Sequence, residues 1–259
     1  MQANTPPSIP HAAAWMAGWL TLMVVIAVAG REATRELSVF QIMLMRSVLG
    51  MALLWPLVHA AGGLSAMRTQ RLPQHAARNV VHYAAQYGWF VALTLIPLAQ
   101  LVSIEFTMPI WSAVLAVIFL GERMNGRKWL AVVLVKSLTR TEAAITVIFW
   151  MLVIQSAIGL VPALLVWQWP SAQTWGWVLV VAFCGTYSHY CFARAMQHAD
   201  TTVVVPMDFL RVPLTALAGW LVYSEQVDLL TGLGVLLILT GNALNLFRWP
   251  RPGRSGPSS

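Results

Sequence analysis

Four ionisable side chains lie inside long apolar runs of this chain: Arg46, Glu105, Asp208 and Arg211. An unpaired charge at the centre of a membrane helix costs about 2.5–3.5 kcal/mol on insertion scales, so each charge needs a partner or a water-filled cavity. One interpretation is that the four residues form structural ion pairs that hold helices together. The other is that they line a cavity and recognise a charged or zwitterionic metabolite.

The second interpretation gives each residue a chemical role. The guanidinium of Arg46 presents a planar set of donors to a carboxylate, and Glu105 or Asp208 would bind an amine. Coupling of transport to protons through either acid is a third role. We expect Arg46 and Glu105 to meet, because both lie at a similar depth from the same end of their helices. Asp208 and Arg211 are neighbours on one helix face in the opposite half of the membrane, so each half would hold one acid and one base.

Two stripes of aromatic and polar side chains form a second candidate layer. On the third apolar run His82, Gln86 and Trp89 recur at helical spacing, and an offset of 103 residues relates Tyr87 to Tyr190 on the sixth run. Such stripes belong either to helix packing or to a solute site, and their polar groups need partners away from water. The complete set of candidate solute-binding residues is Arg46, His82, Gln86, Tyr87, Trp89, Glu105, Tyr187, Tyr190, Asp208 and Arg211.

The composition indicates which kind of secondary structure positions these residues. The chain is 58% hydrophobic and 10% charged, whereas soluble domains carry roughly a quarter charged residues. Apolar runs of about 20 residues, the length that crosses a bilayer, fill most of the chain. The sequence therefore predicts an all-α polytopic membrane protein with about eight transmembrane helices and no soluble domain. The predicted spans are about 13–30, 38–60, 79–96, 98–120, 144–167, 175–197, 202–223 and 228–247.

The net charge of +7 reflects membrane topology. With the N-terminus in the cytoplasm, the loops on that side hold most of the Lys and Arg residues, and the opposite side holds Arg31 and Arg35 within REATRE. This distribution follows the positive-inside rule and excludes nucleic acid as a partner. It predicts an integral protein of a bacterial inner membrane with cytoplasmic N- and C-termini.

The chain also contains a repeat. An acid–Phe pair begins EFTMPIWSAVLAVIFLGER at Glu105 and DFLRVPLTALAGWLVYSE at Asp208. The segment 127–138 is too short to cross, which leaves an odd number of spans between the copies and predicts two inverted-topology repeats, as in many secondary transporters. Glu122 and Glu225, which end the two apolar runs, are interpreted as interfacial charges rather than solute ligands. The predicted divisions are a disordered N-terminal tail (1–12), a first repeat of four helices (13–126), a short cytoplasmic-side segment (127–142), a second repeat of four helices (143–247) and a disordered cytoplasmic tail (248–259).

These patterns resemble a known family. PIWSAVLAVIFLGER, PMDFLRVPLTALAGWLVYSE and KSLTRTEAAITVIFWM are similar to segments of the EamA-type transporters of the drug/metabolite transporter superfamily. The resemblance extends from about residue 13 to 247 and implies two inverted five-helix halves around a central cavity for small metabolites. This chain departs from the family between RKWLAVVLV and VKSLTR, where about one helical hairpin is missing. The resemblance implies a secondary transporter that works by alternating access, and the missing hairpin leaves an inactive or structural paralogue as the alternative.

Other classes of function lack their sequence signals. The chain has no phosphate-cradling glycine loop, no His-Glu-x-x-His run and no Gly-x-Ser-x-Gly run, so we predict neither an enzyme nor a bound cofactor or metal. The expected partners are a small-molecule solute and the lipid bilayer. The sequence is compatible with a monomer and leaves open the oligomeric state, the substrate, the direction of transport and the coupling ion.

Overall fold

The computed structural model describes residues 8–107 and 144–226, together with 111, 232–234, 236 and 240. All regular structure in this part of the chain is helical, which confirms the predicted all-α class. The predicted segment 127–142, Glu122 and the C-terminal tail lie outside it. The helices are α1 (Ile9–Thr34), α2 (Val39–Ala60), a short 3-10 helix (Gly63–Met67), α3 (Leu72–Leu95), α4 (Leu98–Glu105), α5 (Ala144–Leu165), α6 (Ala172–His198), α7 (Thr201–Asp208) and α8 (Arg211–Tyr223).

Four of the described helices are long and apolar enough to cross a membrane: α1, α2, α5 and α6. They correspond to the first, second, fifth and sixth predicted spans. Helix α3 has 24 residues, enough to extend roughly 36 Å, but its polar side chains lower its hydropathy. These polar residues include His82 and Gln86, so α3 owes its lower hydropathy in part to residues of the candidate site.

Two short helices occupy equivalent positions in the repeats. Helices α4 and α7 each have eight residues, each ends at an acid, and the offset of 103 residues relates their ends. A turn follows each of them, at 106–107 and 209–210. The predicted span 202–223 is therefore two helices, α7 and α8. Pro213 lacks the N–H that would bond to the Phe209 carbonyl, and Val212 N donates to that carbonyl instead, at 3.2 Å.

The repeats are interleaved in the bundle. Helix α1 packs along α6, α2 packs against α5 and α6, and α4 packs against α8. The close approach of α2 to α6 depends on Gly50, because a Cβ there would lie 2.5 Å from Thr186 Oγ1. These contacts join the first half of the chain to the second, and each cluster of buried hydrophobic residues contains side chains from both halves.

A polar network at one end of the bundle joins the α1–α2 connection to the α5–α6 connection. The Glu36 carboxylate accepts hydrogen bonds from Ser171 N at 2.6 Å, from Ser171 Oγ at 2.7 Å and from Thr174 Oγ1. Gln41 Nε2 donates to the Gln168 carbonyl at 2.5 Å, and Gln168 N donates back to Gln41 Oε1 at 3.2 Å. At this end, hydrogen bonds join the two halves of the chain.

We predict that Glu36 gives this network an acid-sensitive stability. The hydroxyls of Thr174 and Ser171 lower the pKa of Glu36 below its ordinary value of 4.5. A lowered folded-state pKa stabilises the protein above the unfolded-state pKa, and the contribution is lost as pH falls through the folded-state value. Thermal unfolding is measured from neutral pH into the acid range. The melting temperature of Glu36→Gln should be lower than that of the wild type at neutral pH, and the two temperatures should converge in acid.

The matched control for that titration is Asp200→Asn. Asp200 precedes α7 without forming a side-chain cap hydrogen bond, so this change should leave the melting temperature at neutral pH close to that of the wild type. A constant difference between Glu36→Gln and the wild type across the whole pH range would contradict the prediction.

Candidate solute-binding site

One arginine links two acids where the short helices end. Arg211 Nη1 lies 3.1 Å from Glu105 Oε2, and Arg211 Nε lies 3.6 Å from Asp208 Oδ1. The Arg211 side chain is 8% exposed. Asp208 Oδ1 also accepts a hydrogen bond from Trp19 Nε1 at 2.7 Å. With one cation and two carboxylates, this charged cluster carries a formal charge of −1.

The aromatic residues beside the cluster come from equivalent positions of the two repeats. The rings of Phe106 and Phe209 stack with their centroids 4.5 Å apart. The Arg211 guanidinium lies 5.1 Å from the centre of the Phe106 ring. Residues at equivalent positions of the two repeats are therefore in direct contact at this stack.

The helix ends explain why these charges need one another. A helix macrodipole favours cations at the C-terminus and anions at the N-terminus. Glu105 and Asp208 lie at the C-terminal ends of α4 and α7, and Arg211 lies at the N-terminal end of α8. Each charge occupies the end that the dipole disfavours, so the ion pairs offset three unfavourable placements at once.

The predicted pair between Arg46 and Glu105 is wrong. Arg46 Nη2 instead donates to Gln86 Oε1 at 3.0 Å and to Gln155 Oε1 at 3.1 Å. Glu105 pairs instead with Arg211 from the second half of the chain. Two residues at the same depth in a bundle can lie on helices that do not touch, so depth alone does not identify a partner.

A row of side chains connects Arg46 to the charged cluster. Gln86 Nε2 lies 3.0 Å from His82 Nε2, and the rings of His82 and His189 are 6.0 Å apart. The His189 ring is 6.2 Å from that of Trp19, which bonds to Asp208. We call this series the polar row. Its residues come from α2, α3, α6, α1 and α7.

The other sequence-predicted residues make packing contacts. Tyr87 stacks on Phe40 with ring centroids 4.7 Å apart. The Tyr187 hydroxyl donates to the Leu53 carbonyl at 3.0 Å. Tyr190 makes an edge contact with the Trp15 ring at 5.9 Å. Of the stripe residues, His82 and Gln86 join the polar row, and Trp89 lies beside the Glu105 carboxylate.

Sequence reasoning missed two participants. Gln155 is fully buried in the apolar helix α5, and Trp19 donates to Asp208 from α1. A lone glutamine in an otherwise apolar run is a signal that could have identified Gln155. The indole of Trp19 gave no comparable signal among the thirteen tryptophans of the chain.

A second ion-pair network lies near the ends of α1 and α8. Arg31 Nη1 pairs with Glu225, and the same guanidinium donates to the carbonyls of Leu93, at 2.7 Å, and Ile96. The other oxygen of Glu225 accepts from Leu98 N at 3.0 Å. We call these contacts the Arg31–Glu225 network. It borders a cavity of about 510 Å³ that is lined by Arg31, Thr34, Arg35, Leu93, Thr94, Leu95, Ile96, Pro97, Tyr223 and Glu225.

The fold and the site define a helical membrane protein in which short helices from two repeats end at a charged centre. Two consecutive stretches, residues 12–136 and 132–247, match the EamA-like transporter family. The chain belongs to this family. It is an integral membrane protein of a transporter family rather than an enzyme.

Several curated proteins are similar over most of their length. The chain is 27% identical to a "Riboflavin transporter" of Rhizobium johnstonii, over 70% of this chain and 72% of that protein. It is 21% identical to an "S-adenosylmethionine uptake transporter" of Rickettsia felis, over 86% and 89% respectively. It is 23% identical to the "Pseudopaline exporter CntI" of Pseudomonas aeruginosa, over 81% and 86%. No solved structure matches the chain.

Proposed function

We propose that this protein is a secondary transporter that moves a small charged or zwitterionic metabolite across a bacterial inner membrane by alternating access. The observation that carries the proposal is the contact between the acid–Phe pairs of the two repeats, where α4 and α7 end. Inverted repeats that meet at interrupted helices are the usual frame of a midplane transport site. The charged cluster and the polar row supply the polar groups of that site.

The chemistry of the row favours a solute with charges of both signs. Arg46 offers a cation at one end, and the charged cluster offers a net negative charge at the other. S-adenosylmethionine, which names several relatives, carries both a carboxylate and cationic groups. The same separation of charge would suit an amino acid or a related zwitterion.

The proposed topology also assigns a role to the Arg31–Glu225 network. With both termini in the cytoplasm, this network and the polar network around Glu36 lie at the external end of the bundle. Their bonds join the first half of the chain to the second, so they would hold that end closed in this conformation. Opening toward the outside would require the Arg31–Glu225 pair to separate.

Uptake into proteoliposomes tests the proposal. Radiolabelled S-adenosylmethionine, riboflavin and a panel of amino acids are offered to the wild type, to Glu105→Gln and to empty liposomes. Glu105→Gln removes a carboxylate that the cationic group of the solute would bind. A hydrogen bond to a charged group contributes about 1.5–3 kcal/mol, so this change should lower saturable flux by at least about tenfold. Arg68→Gln, at an exposed position outside the charged cluster, the polar row and the cavity lining, should transport normally. No saturable flux from well-folded wild type would refute the proposal.

One observation favours an alternative, namely an inactive or structural paralogue. The alignment with the Rickettsia felis relative runs over 262 positions while covering 86% of this chain of 259 residues. Part of the relative therefore has no counterpart here, which agrees with the expected loss of about one hairpin. This alternative predicts that no solute binds the wild type and that changes in the charged cluster only reduce the amount of folded protein.

A further inference from the structure

Arg46 is a buried cation whose partners are neutral. The residue is 4% exposed, and both of its hydrogen bonds run from Nη2 to the amide oxygens of Gln86 and Gln155. Among the described residues no Asp or Glu pairs with it. Arg31 and Arg211, by contrast, each contact a carboxylate.

This arrangement leaves a charge without compensation. A guanidinium does not lose its proton in proteins, and removing a charge from water costs several kcal/mol unless an opposite charge balances it. Amide oxygens satisfy hydrogen bonds, but they carry no net charge. An anion at Arg46 would supply the missing compensation.

The guanidinium also has donors to spare. Both of its hydrogen bonds use Nη2, and Nη1 and Nε form none with the described residues. Gly185 of α6 faces Nη1, where an added Cβ would lie 3.3 Å from that nitrogen. A side chain at Gly185 would therefore press against Nη1.

We propose that Arg46 binds the carboxylate of the transported solute through Nη1, while Gln86 and Gln155 hold the guanidinium in place through Nη2. The inference rests on the proposed function, since it requires a solute to reach the interior of the bundle. The solute class is then a metabolite with a free carboxylate. Its cationic group, where it has one, lies along the polar row toward Glu105 and Asp208.

The test compares solutes that differ only in the carboxylate. Thermal stability of the detergent-purified full chain is titrated with S-adenosylmethionine and its methyl ester, and with amino acids paired with their amino alcohols, such as L-methionine and L-methioninol. Chloride, nitrate and phosphate are titrated separately. Because a hydrogen bond to a charged group contributes about 1.5–3 kcal/mol, the carboxylate form should bind at least about ten times more tightly than its uncharged partner.

Two variants assign that preference to Arg46. Arg46→Gln removes the charge, and Gly185→Ala keeps it while placing a methyl group against Nη1. Both should reduce the preference for the carboxylate form to less than about threefold. Gly88→Ala is the matched control, because a Cβ there has no neighbour within 4 Å. If Arg46→Gln does not fold, Gly185→Ala and the wild-type comparison still decide the question.

The outcomes separate this inference from the transport proposal. Equal affinity for both members of every pair, a preference retained in the variants, or binding of inorganic anions alone would each overturn the role of Arg46. An Arg46-dependent preference without flux in proteoliposomes would support the carboxylate site and refute transport. Flux without a carboxylate preference would support transport and refute the carboxylate site at Arg46.

Discussion

Replacing Arg211 with leucine is expected to remove most of the folded protein from detergent extracts. Arg211 is the cation that pairs with both Glu105 and Asp208, and its loss leaves two partly buried carboxylates close together. Removing one partner of a buried ion pair costs about 3–5 kcal/mol, a large part of a total stability of about 5–15 kcal/mol. Size-exclusion yield and thermal unfolding of the purified protein measure the effect.

Neutralising the acids should recover part of that loss. In the triple variant Arg211→Leu, Glu105→Gln and Asp208→Asn, no carboxylate remains without a cation. The surface control is Arg35→Gln, since the Arg35 side chain is 64% exposed in its pair with Glu32, and exposed pairs contribute about 0–1 kcal/mol. If Arg211→Leu behaves like Arg35→Gln, the charged cluster does not stabilise the bundle.

The second large effect is expected from Glu225→Gln, which should open the end of the bundle near Arg31. Glutamine keeps the size of the side chain but removes the charge that faces Arg31. The reporter is Ala33→Cys, at a fully buried position of α1, reacted with a membrane-impermeant thiol reagent. Loss of a charged hydrogen bond, about 1.5–3 kcal/mol, should raise the labelling rate at least about tenfold.

Gly219→Ala offers a second route to the same opening. A Cβ at Gly219 would overlap Oε2 of Glu225, and the end of a flexible side chain is what would move. This variant should therefore label like Glu225→Gln, with Gly88→Ala as the unaffected control. Cys184, which is 2% exposed, reports unfolding. A local opening would be contradicted if Cys184 labelled as fast as the thiol introduced by Ala33→Cys, or if labelling of the introduced thiol did not change.

The sequence was sufficient to predict the fold class because membrane burial imposes a strong pattern. Long apolar runs, together with basic residues concentrated in the loops on one side of the membrane, leave few alternatives to a helical bundle. The recurrence of an acid–Phe pair at an offset of 103 residues also predicted which positions correspond. Those positions proved to be in contact, at Phe106 and Phe209. The same offset relates Tyr87 to Tyr190, whose aromatic contacts are with Phe40 and Trp15 instead, so correspondence in the repeat does not by itself predict contact.

The partners of Arg46 could not be predicted in this way. Similar depth favoured Glu105, but lateral position depends on how helices distant in sequence pack, and that packing places Gln86 of α3 and Gln155 of α5 beside Arg46. The division of the predicted span 202–223 was also missed, although Pro213 was a visible signal for it. Hydropathy does not detect a short interruption, because the residues on both sides of it remain apolar.

The stack of Phe106 on Phe209 has a mechanical consequence. When two rigid bodies rock about a line near their contact, atoms close to that line move least, and displacement grows with distance from it. The stacked rings lie near such a line if the two repeats rock against each other, so they would act as a fulcrum, with the Arg31–Glu225 network at the far end of the lever. Displacement at the Arg31–Glu225 network would then be larger than displacement at the charged cluster.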